Sequence, residues 1–159
     1  MKSNDEIVLK VYNSNSEIGS HGYSHKNIND ISISELESEI NTTNIIFNEI
    51  TKDNIKYYRP SYGEYSDALF NLGLKVINWN IDPKDWLVKD TNRIYNNVIK
   101  NACDGCIVVL HDTYETTVDA TKKMIPALNK LGYKVVSISE LMNIKNNYGE
   151  DNKAISFIK

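Results

Sequence analysis

Two of the three histidines in this chain, His21 and His25, are four positions apart. Two neutral imidazoles at this spacing can bind one metal ion from the same face of a turn or of the start of a helix. The third histidine, His111, follows the apolar residues 107–110 and precedes an aspartate, a pattern typical of the end of a buried strand. All three histidines therefore lie where side-chain chemistry is expected.

Further reactive side chains follow other predicted strands, at residues 59–63 and 82–86. Hydrophobic periodicity predicts strands at residues 18–21, 57–59, 74–79, 106–110 and 134–138, and helices at 5–13, 34–50, 66–72, 91–102 and 117–131. Strands that alternate with helices predict an α/β fold with parallel strands and right-handed crossovers. In such folds the functional groups gather at the carboxyl ends of the strands.

The composition is typical of one globular domain with a real hydrophobic core. The chain has 159 residues, of which 41% are hydrophobic and 25% charged, and its net charge is −3. This charge gives no basic surface for nucleic acid, and no apolar run approaches the roughly 20 residues of a membrane span. We therefore predict a single domain over residues 1–159, with residues 145–159 as a loosely ordered tail.

Cys103 and Cys106 form a single Cys-x-x-Cys pair between a predicted helix and a predicted strand. Such a pair can be a redox couple or half of a zinc site, but the strand that leads into a Cys-x-x-Cys helix in thioredoxin-like proteins is absent. The favoured interpretation is a small buried residue at each position.

Four motifs, in order along the chain, resemble those of polysaccharide deacetylases with the NodB-homology domain (carbohydrate esterase family 4). Residues 21–25, His-Gly-Tyr-Ser-His, resemble the family's His-(Ser/Thr)-x-x-His metal motif, with glycine in place of Ser or Thr. Residues 59–63, Arg-Pro-Ser-Tyr-Gly, are similar to Arg-x-Pro-Tyr-Gly, with serine for the common proline. Residues 82–86 look like the Asp-Trp motif, and residues 109–112 look like Leu-x-His-Asp, with valine for leucine.

The resemblance implies a deformed (β/α) barrel and a hydrolase that removes N- or O-acetyl groups from a polysaccharide, such as peptidoglycan or a chitin-like amino sugar. A divalent metal ion, Zn²⁺ by family preference, would be held by His21, His25 and a carboxylate, and would polarise the acetyl carbonyl and activate a water. The backbone amide of Tyr62 would help to form the oxyanion hole, and His111 would act as the general acid.

The resemblance also implies supporting roles for four other residues. Asp85 would orient His111 and favour its imidazolium form, and Arg59 would tether the carboxylate of the general base. Trp86 and Val109, together with Tyr62, would line the pocket for the acetyl methyl group. Simpler alternatives remain for several of these residues: the histidines could be hydrogen-bonded rim residues, Arg59 and Asp85 a structural ion pair, and Trp86 an ordinary core residue.

This sequence has no counterpart of the Thr-Phe-Asp-Asp-Gly segment with which the family's domain begins, so the barrel is expected to be N-terminally truncated. In the family that segment supplies the general base and the third metal ligand. We therefore expect weak metal binding and impaired activity, or a catalytically silent module that binds carbohydrate or a protein partner. An incomplete barrel would also expose edges that favour self-association.

The expected partner is an acetylated polysaccharide. The resemblance implies an extracellular or cell-wall location. The N-terminus of this chain lacks a signal peptide, which leaves a cytoplasmic location open.

Overall fold

The computed structural model describes residues 4–149 and 153–159. The helices are α1 (Asp5–Tyr12), α2 (Ile33–Thr51), α3 (Asp67–Phe70), α4 (Asp85–Val88), α5 (Thr91–Asn101), α6 (Glu115–Lys130) and α7 (Ile138–Lys145), and the strands are β1 (Tyr57–Tyr58) and β2 (Lys75–Val76). Within these described ranges, no helix is both long enough and apolar enough to cross a membrane.

Contacts between Cα atoms divide the chain into two compact units, each of which is described separately. The first unit is the chain up to Asn78 with Ser137–Ser139 and Tyr148–Ile155, and the second is Trp79–Val136, Glu140–Asn147 and Ser156–Lys159. That the whole chain acts as one domain stays a prediction.

The first unit contains the long helix α2, which starts with a capping box. The Ser32 hydroxyl accepts a hydrogen bond from the Glu35 amide, and the Glu35 carboxylate accepts one from the Ser32 amide. The same Ser-x-x-Glu pattern occurs at Ser34 and Glu37, but Ser32 has the extended backbone that an N-cap requires and Ser34 already lies in the first turn. One face of α2 is buried, through Leu36, Ile40, Thr43, Ile46 and Phe47.

The first unit also holds the sheet, in which β1 and β2 pair in parallel. Ser20 extends it through a parallel bridge to Tyr58, and Ile155 extends it through a parallel bridge to Ile77. The core beneath the sheet consists of Ile28, Leu36, Ile40, Tyr58, Leu69 and Val76. The pairing of Ser20 with Tyr58 places the segments that follow them at the same edge of the sheet, as expected for parallel strands.

The second unit is built on the packing of α5 against α6. Its core consists of Ile81, Ile94, Val98, Ala120, Met124 and Leu128. A parallel bridge joins Ile81 to Val108, so the segments that follow these two residues leave from the same edge. Helix α6 contains Pro126 and runs through it without interruption.

Four of the predicted strands are wrong in extent. The strand predicted at residues 74–79 is reduced to Lys75–Val76. Residues 18–21 and 106–110 make isolated bridges rather than strands, because a bridge at one residue does not continue to the next pair. Residues 134–137 belong to no strand, since Val135 is 53% exposed and Ile138 already begins α7. The predicted helices are found within a few residues of their expected bounds.

The two cysteines are bonded to each other, and two residues near the end of the chain are buried. Cys103 and Cys106 form a disulfide, and Cys103 is exposed, which corrects the interpretation of two independent buried residues. Near the end of the predicted tail, Ile155 is buried in the first unit and Ile158 in the second, and the loose order of the tail as a whole stays a prediction. Residues 150–152 of that tail lie outside the described residues.

Candidate functional site

The predicted site residues fall into two groups, one in each unit. In the first unit, the pairing of residues 20 and 58 brings His21 beside Arg59. The Arg59 amide donates to the Ser20 carbonyl at 2.8 Å, and Nδ1 of the His21 ring lies 2.5 Å from the Arg59 carbonyl oxygen. A carbonyl oxygen only accepts hydrogen bonds, so this contact places the proton on Nδ1 and leaves the lone pair of Nε2 for a metal ion.

His25 lies next to His21, with ring centroids 4.9 Å apart and ring planes at 82°. Its backbone has φ of +59°, a left-handed conformation that is uncommon for a residue other than glycine. The ring of Tyr62 packs edge-on against His25 at 5.1 Å. The two predicted metal ligands are therefore neighbours, and both rings lie at the exposed edge of the first unit.

Tyr62 and Arg59 lie on either side of the buried residues Pro60 and Ser61. Tyr62 also has positive φ, at +63°, and its side chain is 65% exposed. The turn is held by the Gly63 amide, which donates to the Pro60 carbonyl, and by the Gly63 carbonyl, which accepts from Asn78. Burial lowers the pKa of the Arg59 guanidinium from its ordinary value, although this group stays protonated at physiological pH.

In the second unit, Asp85 holds His111 through two hydrogen bonds. The Asp85 side chain is fully buried at the start of α4; its Oδ2 accepts from the His111 amide at 2.6 Å, and its Oδ1 lies 2.8 Å from Nδ1 of the His111 ring. The Thr117 hydroxyl donates to Oδ2 at 2.9 Å. Because a carboxylate accepts, the His111 proton lies on Nδ1, and Nε2 points away from Asp85.

These contacts determine the charge state of Asp85. Burial by itself raises the pKa of the carboxyl, but the hydrogen bonds from the amide and ring of His111 and from Thr117 outweigh it, and the pKa is lowered. Asp85 is thus an anion at neutral pH, and it can balance a positive charge on the His111 ring. Thr117 was not found from the sequence, because a threonine in the first turn of a helix has no distinguishing pattern.

The predicted pocket residues differ in exposure. Val109 is buried, and its amide donates to the Ile81 carbonyl. Trp86 is 47% exposed, which rules out the alternative that it is an ordinary core residue. Asp82 accepts from the Lys84 amide at 2.7 Å and so shapes the turn that leads into α4.

The donor set for a metal ion consists of the two histidines of the first unit. Two imidazoles with one ring nitrogen fixed as a donor suit a zinc-like ion. Over residues 4–149 and 153–159, no group of three or more His, Cys, Asp or Glu side chains is placed to hold a metal ion. The described residues therefore fit part of a metal site.

Comparison with known proteins identifies the class of protein. The family described as polysaccharide deacetylase matches residues 1–76. A peptidoglycan-N-acetylglucosamine deacetylase of Bacillus cereus is 34% identical over 155 residues, which cover 92% of this chain and 72% of that protein. The peptidoglycan-N-acetylmuramic acid deacetylase PdaC of Bacillus subtilis is 31% identical over 141 residues, which cover 88% of this chain and 30% of that protein.

Solved structures have the same fold. The structure of PdaC from Bacillus subtilis superposes with a TM-score of 0.88 at 30% identity, covering 91% of this chain and 72% of that chain. A family 4 acetyl xylan esterase from Clostridium thermocellum, in complex with a cobalt ion, has a TM-score of 0.90 at 26% identity, with coverages of 100% and 80%. A carbohydrate esterase family 4 pseudoenzyme from Bacillus anthracis has a TM-score of 0.82 at 27% identity, with coverages of 89% and 51%.

This chain belongs to the polysaccharide deacetylase family. The predicted fold class, an α/β fold of the polysaccharide deacetylase type, is confirmed by these structures. The chain spans 30% of the length of PdaC and 72% of that of the Bacillus cereus relative.

Proposed function

We propose that this chain is a metal-binding deacetylase domain that removes N-acetyl groups from the amino sugars of peptidoglycan. The observation that carries the proposal is the buried Asp85 carboxylate bonded to both the amide and the ring of His111. A buried carboxylate that orients an imidazole suits a histidine that acts as a general acid. Two curated relatives with the names of peptidoglycan deacetylases support the choice of substrate.

In the proposed reaction, the oxygen of water adds to the acetyl carbonyl carbon as a general base takes a proton from that water. The C–N bond of the acetamide then breaks, which releases acetate and the amine. His111 would donate a proton from Nε2 to the departing amine nitrogen, and Asp85, whose Oδ1 lies 2.8 Å from Nδ1, would orient the ring. The amide of Tyr62 donates to the carbonyl oxygen, where negative charge develops. Trp86 and Val109 would contact the acetyl methyl group, and Arg59 would pair with the carboxylate of a general base, which none of the four motifs supplies.

His21 and His25 would hold the divalent ion through imidazole nitrogens, with Nε2 as the ligand atom in His21. When bound, an ion such as Zn²⁺ polarises a carbonyl group and lowers the pKa of water. The structure of a family member in complex with a cobalt ion supports a divalent metal as the cofactor.

An open cavity of about 370 Å³ beside His25 supports a sugar substrate. Polar side chains dominate its lining, together with the exposed ring of Tyr62; the lining residues are His25, Lys26, Asn27, Asp30, Ile31, Glu35 and Tyr62. Hydroxyl groups of a sugar can bond to such side chains, and its apolar face can stack on the tyrosine ring. We infer that an acetylated polysaccharide is the partner and that the protein acts at the cell wall.

We further propose that the 159-residue polypeptide is a weakened enzyme. A site with two protein ligands binds metal less tightly than a site with three, and loss of a general base typically lowers the rate by ~10²–10⁴. A second candidate function, a silent module that binds carbohydrate, is favoured by the similarity to a pseudoenzyme of the same family.

Acetate release separates the two functions. The chain would be incubated with Zn²⁺ or Co²⁺ and either an N-acetylglucosamine oligomer or peptidoglycan, beside His25→Ala, His111→Ala and the exposed control Thr113→Ala. A deacetylase releases acetate in the wild type and the control and much less in the two histidine variants. Binding of glycan without acetate release in any of the four proteins would refute the enzymatic proposal and support the silent module.

Self-association stays a prediction as well. Sedimentation velocity over a range of protein concentrations would check it, and a monomer at all concentrations would contradict it.

A further inference from the structure

The loop between the two histidines is held by a carboxylate that lies outside the four motifs. Oε2 of Glu39 accepts hydrogen bonds from the backbone amides of Tyr23 at 2.8 Å and Ser24 at 2.6 Å, and Oε1 accepts one from the Ser24 hydroxyl at 2.6 Å. Two successive amides that point at one oxygen form an anion-binding nest. Because the acceptor is charged, these bonds are stronger than bonds between neutral groups.

The backbone of this loop needs such support. Gly22 has φ of +82° and His25 has φ of +59°, so the loop enters and leaves through left-handed conformations. Glycine adopts this conformation readily, but for other residues it is strained. The surrounding contacts must therefore keep His25 in place, and the bonds to Glu39 act on the two residues between Gly22 and His25.

Glu39 itself has a fixed position because it belongs to α2. Its helix neighbours Leu36 and Ile40 are buried in the core of the first unit, at 3% and 5% exposure. Burial by itself raises the pKa of Glu39, but the hydrogen bonds from Ser24 and Tyr23 outweigh it and lower the pKa. The side chain is therefore a fixed anion at neutral pH.

We propose that Glu39 is a positioning residue that holds the loop of residues 22–24 so that His21 and His25 face one metal ion. The proposal rests on the metal-binding role proposed above for the two histidines. Glu39 contacts the loop through Tyr23 and Ser24, so it would affect metal affinity through the position of His25. Groups that orient metal ligands in this way typically contribute 10–100-fold to metal affinity.

The test is a titration of the metal-free 159-residue chain with Zn²⁺ alone. We expect Glu39→Ala to raise the dissociation constant by about 10–100-fold. Glu39→Gln should lie between this variant and the wild type, because its amide oxygen can accept from the two backbone amides and its NH₂ can donate to Ser24, but the charge is lost. The matched control is Glu37→Ala, which removes an exposed carboxylate two positions earlier on the same helix and should leave the affinity unchanged.

A metal-free readout separates positioning from general stability. With only three histidines in the chain, the ring signals can be assigned by NMR. Glu39→Ala should shift or broaden the signals of His25 and leave those of His111 unchanged. If Glu39→Ala does not fold, Ser24→Ala removes the hydroxyl bond alone and should weaken Zn²⁺ binding a few-fold.

Two results would overturn the proposal, and they are distinguishable. If His25→Ala weakens Zn²⁺ binding while Glu39→Ala binds as the wild type does, the metal site stands and Glu39 has no positioning role. If His25→Ala binds Zn²⁺ as tightly as the wild type, the metal site itself is wrong, and the role of Glu39 is refuted with it.

Discussion

Replacement of Asp85 by asparagine should change which nitrogen of His111 carries the proton. The Asp85 carboxylate accepts from the His111 amide and from Thr117 through Oδ2, and it faces Nδ1 of the ring through Oδ1. In Asp85→Asn the amide oxygen can keep the first two bonds at the Oδ2 position. The NH₂ group then faces Nδ1, so the ring must offer a lone pair there and carry its proton on Nε2.

The expected losses of stability and activity in Asp85→Asn follow from this replacement of a carboxylate by an amide. One charge-assisted hydrogen bond is lost, which should cost roughly 1.5–3 kcal/mol of unfolding free energy. Asparagine has no negative charge to place beside Nδ1, so His111 loses the carboxylate that supports it as a proton donor. Acetate release should therefore fall by ~10²–10⁴, the usual contribution of a general acid.

The assay combines urea unfolding, acetate release and long-range ¹H–¹⁵N NMR of the histidine rings, which reports the tautomer even in a weakly active chain. Thr117→Val is the matched control, because it removes one donor to Asp85 and leaves the contact with the ring. It should cost on the order of 1 kcal/mol and keep the Nδ1 proton of His111. A ring of His111 that is still protonated on Nδ1 in Asp85→Asn, or an unchanged rate, would refute the reasoning.

Further predictions concern stability. Because the pKa of Asp85 is lowered in the folded protein, its ionised form stabilises the fold above the unfolded value of about 4, and this contribution is lost as the pH falls through the folded value. The stability gap between the wild type and Asp85→Asn in urea should therefore shrink below pH ~4, and a gap of constant size would contradict the assignment. Gly105→Ala should destabilise strongly, because Gly105 has φ of +84° and the added methyl group would strike the backbone carbonyl of the next-to-last residue. Gly132→Ala, with φ of +89° and open space, should cost about 1 kcal/mol, and equal melting temperatures for the two variants would argue against the clash. Ser32→Ala should lose about 1 kcal/mol in thermal unfolding and Ser34→Ala only a few tenths, whereas the reverse order would indicate that Ser34 caps the helix.

The motifs were predictable from the sequence because their residues are close together along the chain. The spacing of His21 and His25 is a property of one loop, and the structure places their rings side by side. The pairing of Asp85 with His111 could be predicted from the family motifs, and the structure shows the two hydrogen bonds. Helices were also predictable, because their apolar stripe repeats over three or four residues.

The strands were less predictable, because a strand depends on a partner that is distant in the chain. Residues 106–110 form a continuous apolar run, yet Val108 makes one isolated bridge to Ile81. Residues 134–137 have the composition of a strand, yet they belong to none of the strands in the described part of the chain. The sequence pattern indicates that a segment can be extended, and only the packing decides how far the ladder runs.

The sequence by itself therefore determined the family, five of the seven helices in the described part of the chain, and the residues with reactive side chains. The tertiary structure alone decided which groups hold those side chains. Thr117 reaches Asp85 across 32 positions and Glu39 reaches Ser24 across 15, and neither residue has a local pattern that marks it. A hydrogen bond requires two atoms within about 3 Å of each other, a condition that folding creates and that spacing along the chain does not reveal.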